Sequence, residues 1–574
     1  ICSTLEQHYR EPQDVEFTVE HKKLYMLQTR AAKMNAAAMV KSSVDMVRES
    51  LVSKERALLR VKPEQLEQIL HKRVDPKAKI KAVATGIAAS PGAATGKAVF
   101  DTKKAEEMGE KGEQIILVRD ETKPEDVPAF FVSNGILTSR GGKTSHAAVV
   151  ARGMGKPCIV GCSEINIDYS ANSFRAGSVT VREGDLITID GSVGRVYVGD
   201  VPTIDPEFTE EFQQMMRWAD ELKSLGVRAN ADTPEGASVA RKFGAKGIGL
   251  CRTERMFNGH DSLPVFIDMI MARTEEERRK ALKKLMPLQK SDFKKILEVM
   301  EGYPVTIRLL DPPLHEFLPG TDDLLRTFYG AKGTDAKSSE EQENLLNRAR
   351  ELAEVNPMMG HRGVRIGITF PEIYETQIRA IFEATAELLA QGVKAEPQIM
   401  VPQVGSAEEL MRIRRIYDSV RREVEAKYKR ELHVKFGTMI EVVRACMTAD
   451  SIAEVAEFFS FGTNDLTQAV FSFSREDVEG KFLPFYLENG VMAVNPFQSL
   501  DLKGVGSVMS TAVELGRCSR RDLEIGICGE HGGDPKSIEF CNKIGLNYVS
   551  ASPHRIPIAL LAAAQTVIKQ KQDT

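Results

Sequence analysis

The spacing of apolar residues changes three times along the chain. Residues 1–30 include DVEFTVEHKKLYMLQTR, in which apolar and polar residues alternate on both sides of the polar EHKK segment. Alternation with period two is typical of strands, so this stretch is predicted to form a β-hairpin. Residues 31–77 are rich in Ala, Met, Glu and Lys, which predicts a helical linker.

Residues 78–200 carry short apolar runs separated by glycines, namely QIILV, GILTS, LITID and RVYVG, with one evident helix after His146. This pattern predicts a compact mixed α/β domain. From 205 to 574, eight apolar runs alternate with amphipathic helical stretches: GVRAN, KGIGL, PVTIRLL, QIMVPQ, VKFGTMI, FFSFGT, EIGIC and NYVSA. Eight strands separated by helices predict a (β/α)8 barrel, and the fold class as a whole is α/β.

Composition narrows the class of protein. A chain of 574 residues is too long for one hydrophobic core. Its net charge of −4 gives no general attraction to nucleic acid or to an anionic membrane, and no apolar run is long enough to span a bilayer. Eight cysteines without a CxxC pair favour free thiols in a reducing, cytoplasmic compartment. The first residues, ICSTLEQHYR, include neither an initiator methionine nor a signal peptide. We therefore expect the beginning of the chain to be missing; a plastid location would apply only if a transit peptide was lost with it.

Reactive side chains follow six of the predicted barrel strands or their loops. They are Arg252 and Glu254, Arg308 and Asp311, Arg362, Glu441, Asn464 and Asp465, and Cys528, Glu530 and His531. Arginine binds phosphate and carboxylate through paired N–H groups, and carboxylates at neighbouring strand ends suit Mg²⁺. The set predicts a small substrate with both phosphate and carboxylate groups. Alternatively, the arginines have only a structural role and pair with nearby acids. In the substrate site, Glu254, Asp311 and Glu530 are expected to hold the arginines in place without taking part in the reaction.

Two residues have both a structural and a chemical interpretation. Cys528 at a strand end is either a small buried apolar side chain or a thiol that exchanges a proton with a substrate carbon. His146 follows Gly141 and Gly142, which permit a tight turn, and Thr144 or Ser145 is expected to cap the helix HAAVVAR. The positive end of a helix disfavours an imidazolium but favours a bound anion. His146 is thus either a buried structural histidine or a neutral acceptor of a phosphoryl group.

The segment GGKTSHAAVVARGMGKPC resembles the phosphohistidine motif of the phosphoenolpyruvate-utilising enzymes. Within that family, GLCRTERMF, IRLLDPPLHEFLP, GHRGVR, SFGTNDLTQ and GICGEHGGDP are similar to motifs of the pyruvate, phosphate dikinases, and the likeness covers nearly the whole chain. The resemblance implies reversible conversion of ATP, phosphate and pyruvate to AMP, pyrophosphate and phosphoenolpyruvate. It also implies Mg²⁺, a central domain that swivels, and a homodimer formed through the barrel.

The resemblance also assigns roles to residues. His146 would carry the phosphoryl group and Cys528 would exchange a proton with the methyl carbon. Arg252, Arg308 and Arg362 would bind substrate, with Glu441 and Asp465 as Mg²⁺ ligands and Gly462, Thr463 and Asn464 lining the site. Glu16, Gln28 and Arg30 would belong to the last hairpin of an ATP-grasp domain that is otherwise absent, which implies that the chain alone performs only the half-reaction of phosphoenolpyruvate and pyruvate. Thr144 matches a regulatory phosphorylation site.

Two residues depart from the family pattern. Lys143 replaces a methionine beside the acceptor histidine, and Arg255 replaces a histidine in CRTEHMF.

Three other functions remain open. The alternative enzymes are an enzyme I-like phosphoenolpyruvate-protein phosphotransferase, which would carry a helical partner-binding subdomain, and phosphoenolpyruvate synthase. A non-catalytic relay is the third alternative, although such a protein would be expected to have lost part of the reactive set.

Overall fold

The computed structural model describes residues 1–122, 126–142, 145–153, 155–206, 208–258, 262–318, 324–325 and 336–573. The chain divides into two compact units. The first comprises Ile1–Lys223, Ser474–Asn495 and Leu560–Thr574, and the second comprises Ser224–Phe473 and Pro496–Ala559. No helix of the described residues is both long and apolar enough to cross a membrane.

The first unit opens with the helix Cys2–Tyr9 and an antiparallel hairpin of β1 (Gln13–Glu20) and β2 (Lys23–Ala31), which confirms the predicted hairpin. Three helices follow within the predicted linker: Ala36–Arg48, Lys54–Arg60 and Pro63–Leu66. The side chains of Asn35 and Ser53 cap the first two by accepting hydrogen bonds from backbone N–H groups.

A mixed sheet of eight strands forms the centre of the first unit. In chain order, the strands of this region are β3 (Arg73–Val74), β4 (Ala84–Thr85), β5 (Ile87–Ser90), β6 (Ala93–Val99), β7 (Ile115–Arg119), β8 (Gly135–Thr138), β9 (Cys158–Val160), β10 (Ile165–Asp168), β11 (Ser173–Ala176), β12 (Val179–Arg182), β13 (Leu186–Asp190), β14 (Arg195–Val198) and β15 (Thr203–Ile204). The large sheet has the order β4-β14-β13-β6-β7-β8-β9-β5, while β10-β11-β12 form a smaller sheet and β15 pairs with β3.

The two faces of the large sheet are covered differently. Ile116 and Val118 on β7 pack in a core with the small sheet, whereas Ile115 and Leu117 pack with three helices, because successive strand residues point to opposite faces. Those helices are Thr102–Glu110, Val127–Val132 and His146–Gly153. The prediction of a single helix in this region is therefore wrong. The first of these helices is mostly polar, and the second, VPAFFV, lacks a helical spacing of apolar residues.

The remaining helices of the first unit are Glu210–Leu222, Arg475–Gly480 and Leu483–Glu488, and the chain ends with the helix Ile556–Asp573. Thr209 caps Glu210–Leu222 by accepting a hydrogen bond from the N–H of Phe212. The single tryptophan of the chain, Trp218, lies in this helix and is 5% exposed.

The second unit is a closed barrel of eight parallel strands. They are β16 (Gly226–Asn230), β17 (Ile248–Arg252), β18 (Pro304–Arg308), β19 (Glu396–Val401), β20 (Lys435–Ile440), β21 (Phe458–Phe461), β22 (Glu524–Ile527) and β23 (Tyr548–Ala551). Each strand pairs with the next along the chain, and β23 closes on β16. Each strand overlaps one of the eight predicted runs, so the predicted barrel is confirmed.

Helices connect the barrel strands. Those within the described residues are Pro234–Lys242, Leu263–Met271, Glu275–Val299, Ala336–Leu352, Val364–Thr369, Pro371–Ala390, Ala407–Tyr428, Val443–Met447, Ala449–Val455, Thr463–Phe471, Val505–Ser519 and Pro535–Lys543. The helix Pro371–Ala390 buries most of its surface, as expected of a helix that packs between a barrel and further helices. This frame holds the strand ends, where the candidate site lies.

Candidate active site

The predicted site residues of the barrel lie at the carboxyl ends of its strands. Arg252 and Arg308 are the last residues of β17 and β18, while Glu441, Gly462 and Cys528 directly follow β20, β21 and β22. In a closed parallel barrel the carboxyl ends of all strands meet at one rim. The fold therefore brings these five residues to the same end of the barrel.

Buried carboxylates hold two of the three arginines. Arg308 forms an ion pair with Glu254, and its Nη1 lies 2.9 Å from Oδ2 of Asp311. Arg362 contacts both oxygens of Asp311, from Nε at 3.2 Å and from Nη2 at 2.5 Å. Asp311 is 1% exposed. Glu254 and Asp311 are thus placed as expected for residues that hold the arginines.

The charges of this network reinforce one another. Burial acts to lower the pKa of Arg308, but the carboxylates of Asp311 and Glu254 outweigh it and raise that pKa well above its ordinary value. Burial likewise acts to raise the pKa of Asp311, but Arg308 and Arg362 outweigh it and lower that pKa. The arginines and Asp311 are therefore all charged at neutral pH, and the guanidinium groups are fixed in place.

Arg252 is held by Asp232, which follows β16 and which the sequence analysis did not single out. Oδ1 of Asp232 accepts a hydrogen bond from the backbone N–H of Arg252 at 2.7 Å, and its Oδ2 lies 3.7 Å from Nη1 of the same residue. Arg255, one of the departures from the family pattern, also pairs with Asp232 at 3.3 Å. Arg252 and Arg255 therefore share one buried carboxylate.

Glu441 and Asp465 are linked through one glutamine. The backbone N–H of Gln403 donates to Oε1 of Glu441 at 2.7 Å, and its side-chain Nε2 donates to Oδ2 of Asp465 at 2.9 Å. Arg362 also contacts Asp465, with 2.9 Å between Nη2 and Oδ2. Burial, followed by the negative charges of Asp465 and Asp311, raises the pKa of Glu441 to about 8. With no cation beside it, Glu441 therefore favours its protonated, neutral form at neutral pH.

A divalent cation beside Glu441 would offset the penalty that burial and the neighbouring carboxylates place on its negative charge. Among the described residues, no group of three or more His, Cys, Asp or Glu side chains is arranged to hold a metal, so the rim offers a pair of carboxylates. Mg²⁺ in proteins commonly takes one or two carboxylates together with water and substrate phosphate oxygens. Glu441 and Asp465 have the donor chemistry of such a site.

Gly462, the first residue after β21, packs against Glu441. A Cβ atom on Gly462 would lie 2.5 Å from Oε2 of Glu441, so only glycine leaves room for that carboxylate. Thr463 begins a helix, and its hydroxyl lies 2.8 Å from Nδ1 of the buried His531. The other ring nitrogen, Nε2, is 2.8 Å from the carbonyl of Pro496, which can only accept, so Nε2 carries the proton. His531 therefore fixes the start of this helix.

Cys528 is a buried thiol at the same rim. It is 1% exposed and packs with Leu250, Met400, Met439 and Phe458. Burial raises the pKa of the thiol to about 11, although a contact with Ser460 partly offsets it. Both interpretations of Cys528 are therefore compatible: the residue is buried, and it keeps its proton at neutral pH. The neighbouring Glu530 is exposed, and its backbone N–H lies 3.4 Å from Oδ1 of Asn464.

The reactivity of the thiols should follow their exposure. Cys2 and Cys518 are exposed, whereas the other six cysteines are buried and none is in a disulfide. We expect two thiols to react rapidly with Ellman's reagent in the native protein and all eight after denaturation, because only an accessible thiolate reacts. Rapid modification of Cys528, identified by peptide mapping, would contradict the buried and protonated state of this thiol.

Gly141 and Ser145 are described residues between β8 and the helix that begins at His146. Gly141 has φ of +102°, as the predicted tight turn requires, and the helix begins at His146 itself. Ala147, Ala148 and Ala151 bury the inner face of that helix. The Ser145 hydroxyl is buried without a hydrogen-bond partner, so Ser145 does not cap the helix. Lys143 and Thr144 lie outside the described residues.

The three residues expected at a nucleotide site lie on the hairpin β1–β2. Glu16 is directly opposite Gln28, and Arg30 is opposite Asp14, with 3.6 Å between Arg30 Nε and Asp14 Oδ2. Residues two apart on a strand, and residues opposite one another, share a face of the sheet. Glu16, Gln28 and Arg30 therefore lie together on one face.

Comparison with known families agrees with this arrangement. The family described as "PEP-utilising enzyme, PEP-binding domain" matches residues 207–568, and "PEP-utilising enzyme, mobile domain" matches residues 111–194, which include His146. A third match, to the "Pyruvate phosphate dikinase, AMP/ATP-binding domain", covers residues 1–51 and includes the hairpin.

Curated relatives extend the likeness over the whole chain. The chain is 54% identical over 576 residues to a pyruvate, phosphate dikinase of Entamoeba histolytica and 50% identical over 573 residues to one of Rhizobium meliloti. It is 50% identical over 571 residues to the chloroplastic pyruvate, phosphate dikinase 1 of Arabidopsis thaliana. These alignments cover 99–100% of this chain but 65%, 63% and 59% of the three relatives, respectively. The chain belongs to the family of phosphoenolpyruvate-utilising enzymes.

Proposed function

We propose that the barrel rim transfers a phosphoryl group between phosphoenolpyruvate and His146. The observation that carries this proposal is the convergence of Arg252, Arg308 and Arg362 with the Glu441–Asp465 pair at one rim. Fixed guanidinium groups suit the phosphate and carboxylate of phosphoenolpyruvate. Both the motif at His146 and the match to the mobile domain support His146 as the acceptor.

The reaction follows from these positions. The bond between phosphorus and the enol oxygen breaks as the imidazole nitrogen of His146 forms a bond to phosphorus. The arginines stabilise the negative charge left on the enolate oxygen, and Cys528 donates its proton to the methylene carbon to give pyruvate. Gly462, Thr463 and Asn464 line the substrate. A Mg²⁺ ion held by Glu441 and Asp465 would neutralise charge on the phosphate and enolate oxygens.

For this chain joined to a complete ATP-grasp domain, we propose the complete reaction of ATP, phosphate and pyruvate to AMP, pyrophosphate and phosphoenolpyruvate, as its likeness to the pyruvate, phosphate dikinases implies. In these 574 residues, we assign the nucleotide contacts to Glu16, Gln28 and Arg30 and the half-reaction of phosphoenolpyruvate and pyruvate to the barrel with His146. The corresponding domains are residues 1–30, a linker over 31–77, the phosphohistidine domain over 78–200 and the barrel over 205–574. Dimerisation through the barrel, regulation at Thr144 and a cytoplasmic or plastid location belong to the same proposal.

The first test is to label the protein with ³²P-phosphoenolpyruvate and Mg²⁺. We expect acid-labile, base-stable label on the protein together with released pyruvate, because a phosphohistidine is stable in base and not in acid. The label should disappear in His146→Ala and persist in His433→Ala, which removes a histidine with an 82% exposed side chain. Equal labelling of the His146→Ala protein would remove His146 from the proposal, and label acquired from ATP would contradict the restriction to one half-reaction.

A further inference from the structure

Gln403 occupies an unusual position at the rim. It lies two residues beyond the end of β19, it is 4% exposed, and its φ is +59°. Residues other than glycine rarely adopt this left-handed conformation, and those that do are enriched at functional sites, where surrounding contacts hold them in place. Gln403 contacts two carboxylates and one neighbouring loop.

Gln403 uses both its main chain and its side chain on the two carboxylates. Its N–H binds Oε1 of Glu441 and its Nε2 binds Oδ2 of Asp465. Gln403 therefore binds one oxygen of each carboxylate, which leaves Oε2 of Glu441 for a ligand, while Oδ1 of Asp465 also accepts a hydrogen bond from Nε2 of Gln468 at 3.3 Å. In this left-handed conformation one residue directs its own N–H to Glu441, directly after β20, and its side-chain amide to Asp465, in the helix Thr463–Phe471.

Gln403 also supports the loop that carries Arg362. A Cβ atom on Gly363 would lie 2.6 Å from Cβ of Gln403, so this loop packs directly against the side chain of the glutamine. The N–H of Gly363 donates to the carbonyl of Asp311 at 2.8 Å, and the N–H of Val364 donates to that of Pro402 at 3.0 Å. The same residue thus contacts both carboxylates and the loop of a substrate arginine.

We propose that Gln403 is a positioning residue that orients Glu441 and Asp465 for a divalent cation. This inference rests on the proposed function, because it takes that carboxylate pair as the cation site. Groups that hydrogen-bond to metal ligands fix the direction of the ligand oxygens, and their removal commonly weakens metal binding by about 10–100-fold.

The test measures the binding of Mn²⁺ alone to the intact chain by electron paramagnetic resonance. Gln403→Gly keeps the left-handed backbone and its N–H, because glycine adopts φ of +59° without strain, and removes the side chain with its amide and its contact to the loop at Gly363. We expect this variant to bind Mn²⁺ at least about tenfold more weakly than the unmodified chain. Lys429→Gly is the matched control: Lys429 is exposed, has φ of +52° and precedes the amino end of β20, whereas the rim lies at the carboxyl ends of the strands, so the affinity of this variant for Mn²⁺ should not change.

Two further variants separate this inference from the function on which it rests. Asp465→Asn should weaken Mn²⁺ binding, and adding Gln403→Gly to it should cause little further loss, because the amide acts through Asp465. Wild-type affinity in Gln403→Gly, with weak binding in Asp465→Asn, would overturn the role of Gln403 and leave the cation site standing. Absence of Mn²⁺ binding in the unmodified chain, or full affinity in both Asp465→Asn and Glu441→Gln, would overturn the cation site and this inference with it.

Discussion

Replacing Cys528 with alanine is expected to slow the formation of pyruvate from phosphoenolpyruvate by about 10²–10⁴-fold, the usual contribution of a positioned general acid. The thiol is buried at the rim and burial raises its pKa to about 11, so it holds a proton that it can deliver to the enolate carbon. The rate of the reverse step, in which the thiolate removes a proton from the methyl carbon of pyruvate, should fall by the same factor. Exchange of the methyl protons of pyruvate in D₂O, followed by proton NMR on the phosphorylated chain, measures it directly.

Cys541→Ala is the matched control for this experiment. Cys541 is also buried, burial raises the pKa of its thiol to about 12, and it lies in the helix Pro535–Lys543 rather than at a strand end. We expect this variant to exchange the methyl protons at the normal rate. Normal exchange in Cys528→Ala would instead return Cys528 to its structural interpretation as a small buried side chain.

Replacing Arg308 with leucine is expected to lower the free energy of unfolding by about 3–5 kcal/mol, because it leaves buried carboxylates without their partner. Glu254 and Asp311, both less than one-tenth exposed, would keep their charges without this guanidinium. Arg279→Leu is the matched control: Arg279 also contacts two carboxylates, Glu275 and Glu375, but its side chain is 48% exposed. Surface pairs of this kind contribute about 0–1 kcal/mol. Urea titration followed by circular dichroism measures both changes.

The loss caused by Arg308→Leu should depend on pH. In the unmodified protein the pKa of Asp311 is lowered, so its stabilising contribution is present above the ordinary pKa of aspartate and is lost as the pH falls through the lowered value. In the variant Asp311 loses one of its two arginines, and protonation becomes less costly. The difference in unfolding free energy should therefore be full above the ordinary pKa of aspartate, about 3.9, and should shrink as the pH falls below that value. A difference that is constant with pH would show that lost packing, rather than unpaired charge, causes the destabilisation.

The barrel was predictable because its strands are short apolar runs separated by long helices. GVRAN, for example, coincides with β16, whereas β17 ends at Arg252, two residues beyond the predicted run KGIGL, and β18 ends at Arg308, two residues before the end of the predicted run PVTIRLL. The helices of the first unit were harder to predict. Thr102–Glu110 buries chiefly Ala105, and a short polar helix whose apolar side chains are only Ala105 and Met108 offers too few apolar positions for its spacing to stand out.

The polar contacts of the site were predicted only in part. Asp232 and Gln403 both follow barrel strands, so the strand-end rule that singled out Glu441 applies equally to them. The rule does not indicate which partner a side chain meets, because Gln403 reaches Glu441 and Asp465 across 38 and 62 residues of sequence. Its left-handed backbone is likewise set by tertiary contacts with the loop at Gly363 and not by local sequence.

The position of Trp218 gives the protein a natural optical reporter. As the single tryptophan, buried in a helix of the first unit, it is the source of the intrinsic indole fluorescence, while the barrel contributes none. Emission during a urea titration therefore follows the loss of structure around one helix, whereas circular dichroism follows the secondary structure of the whole chain. Separate transitions by these two signals would mean that the units unfold independently, and a variant such as Arg308→Leu should then shift the dichroism curve alone.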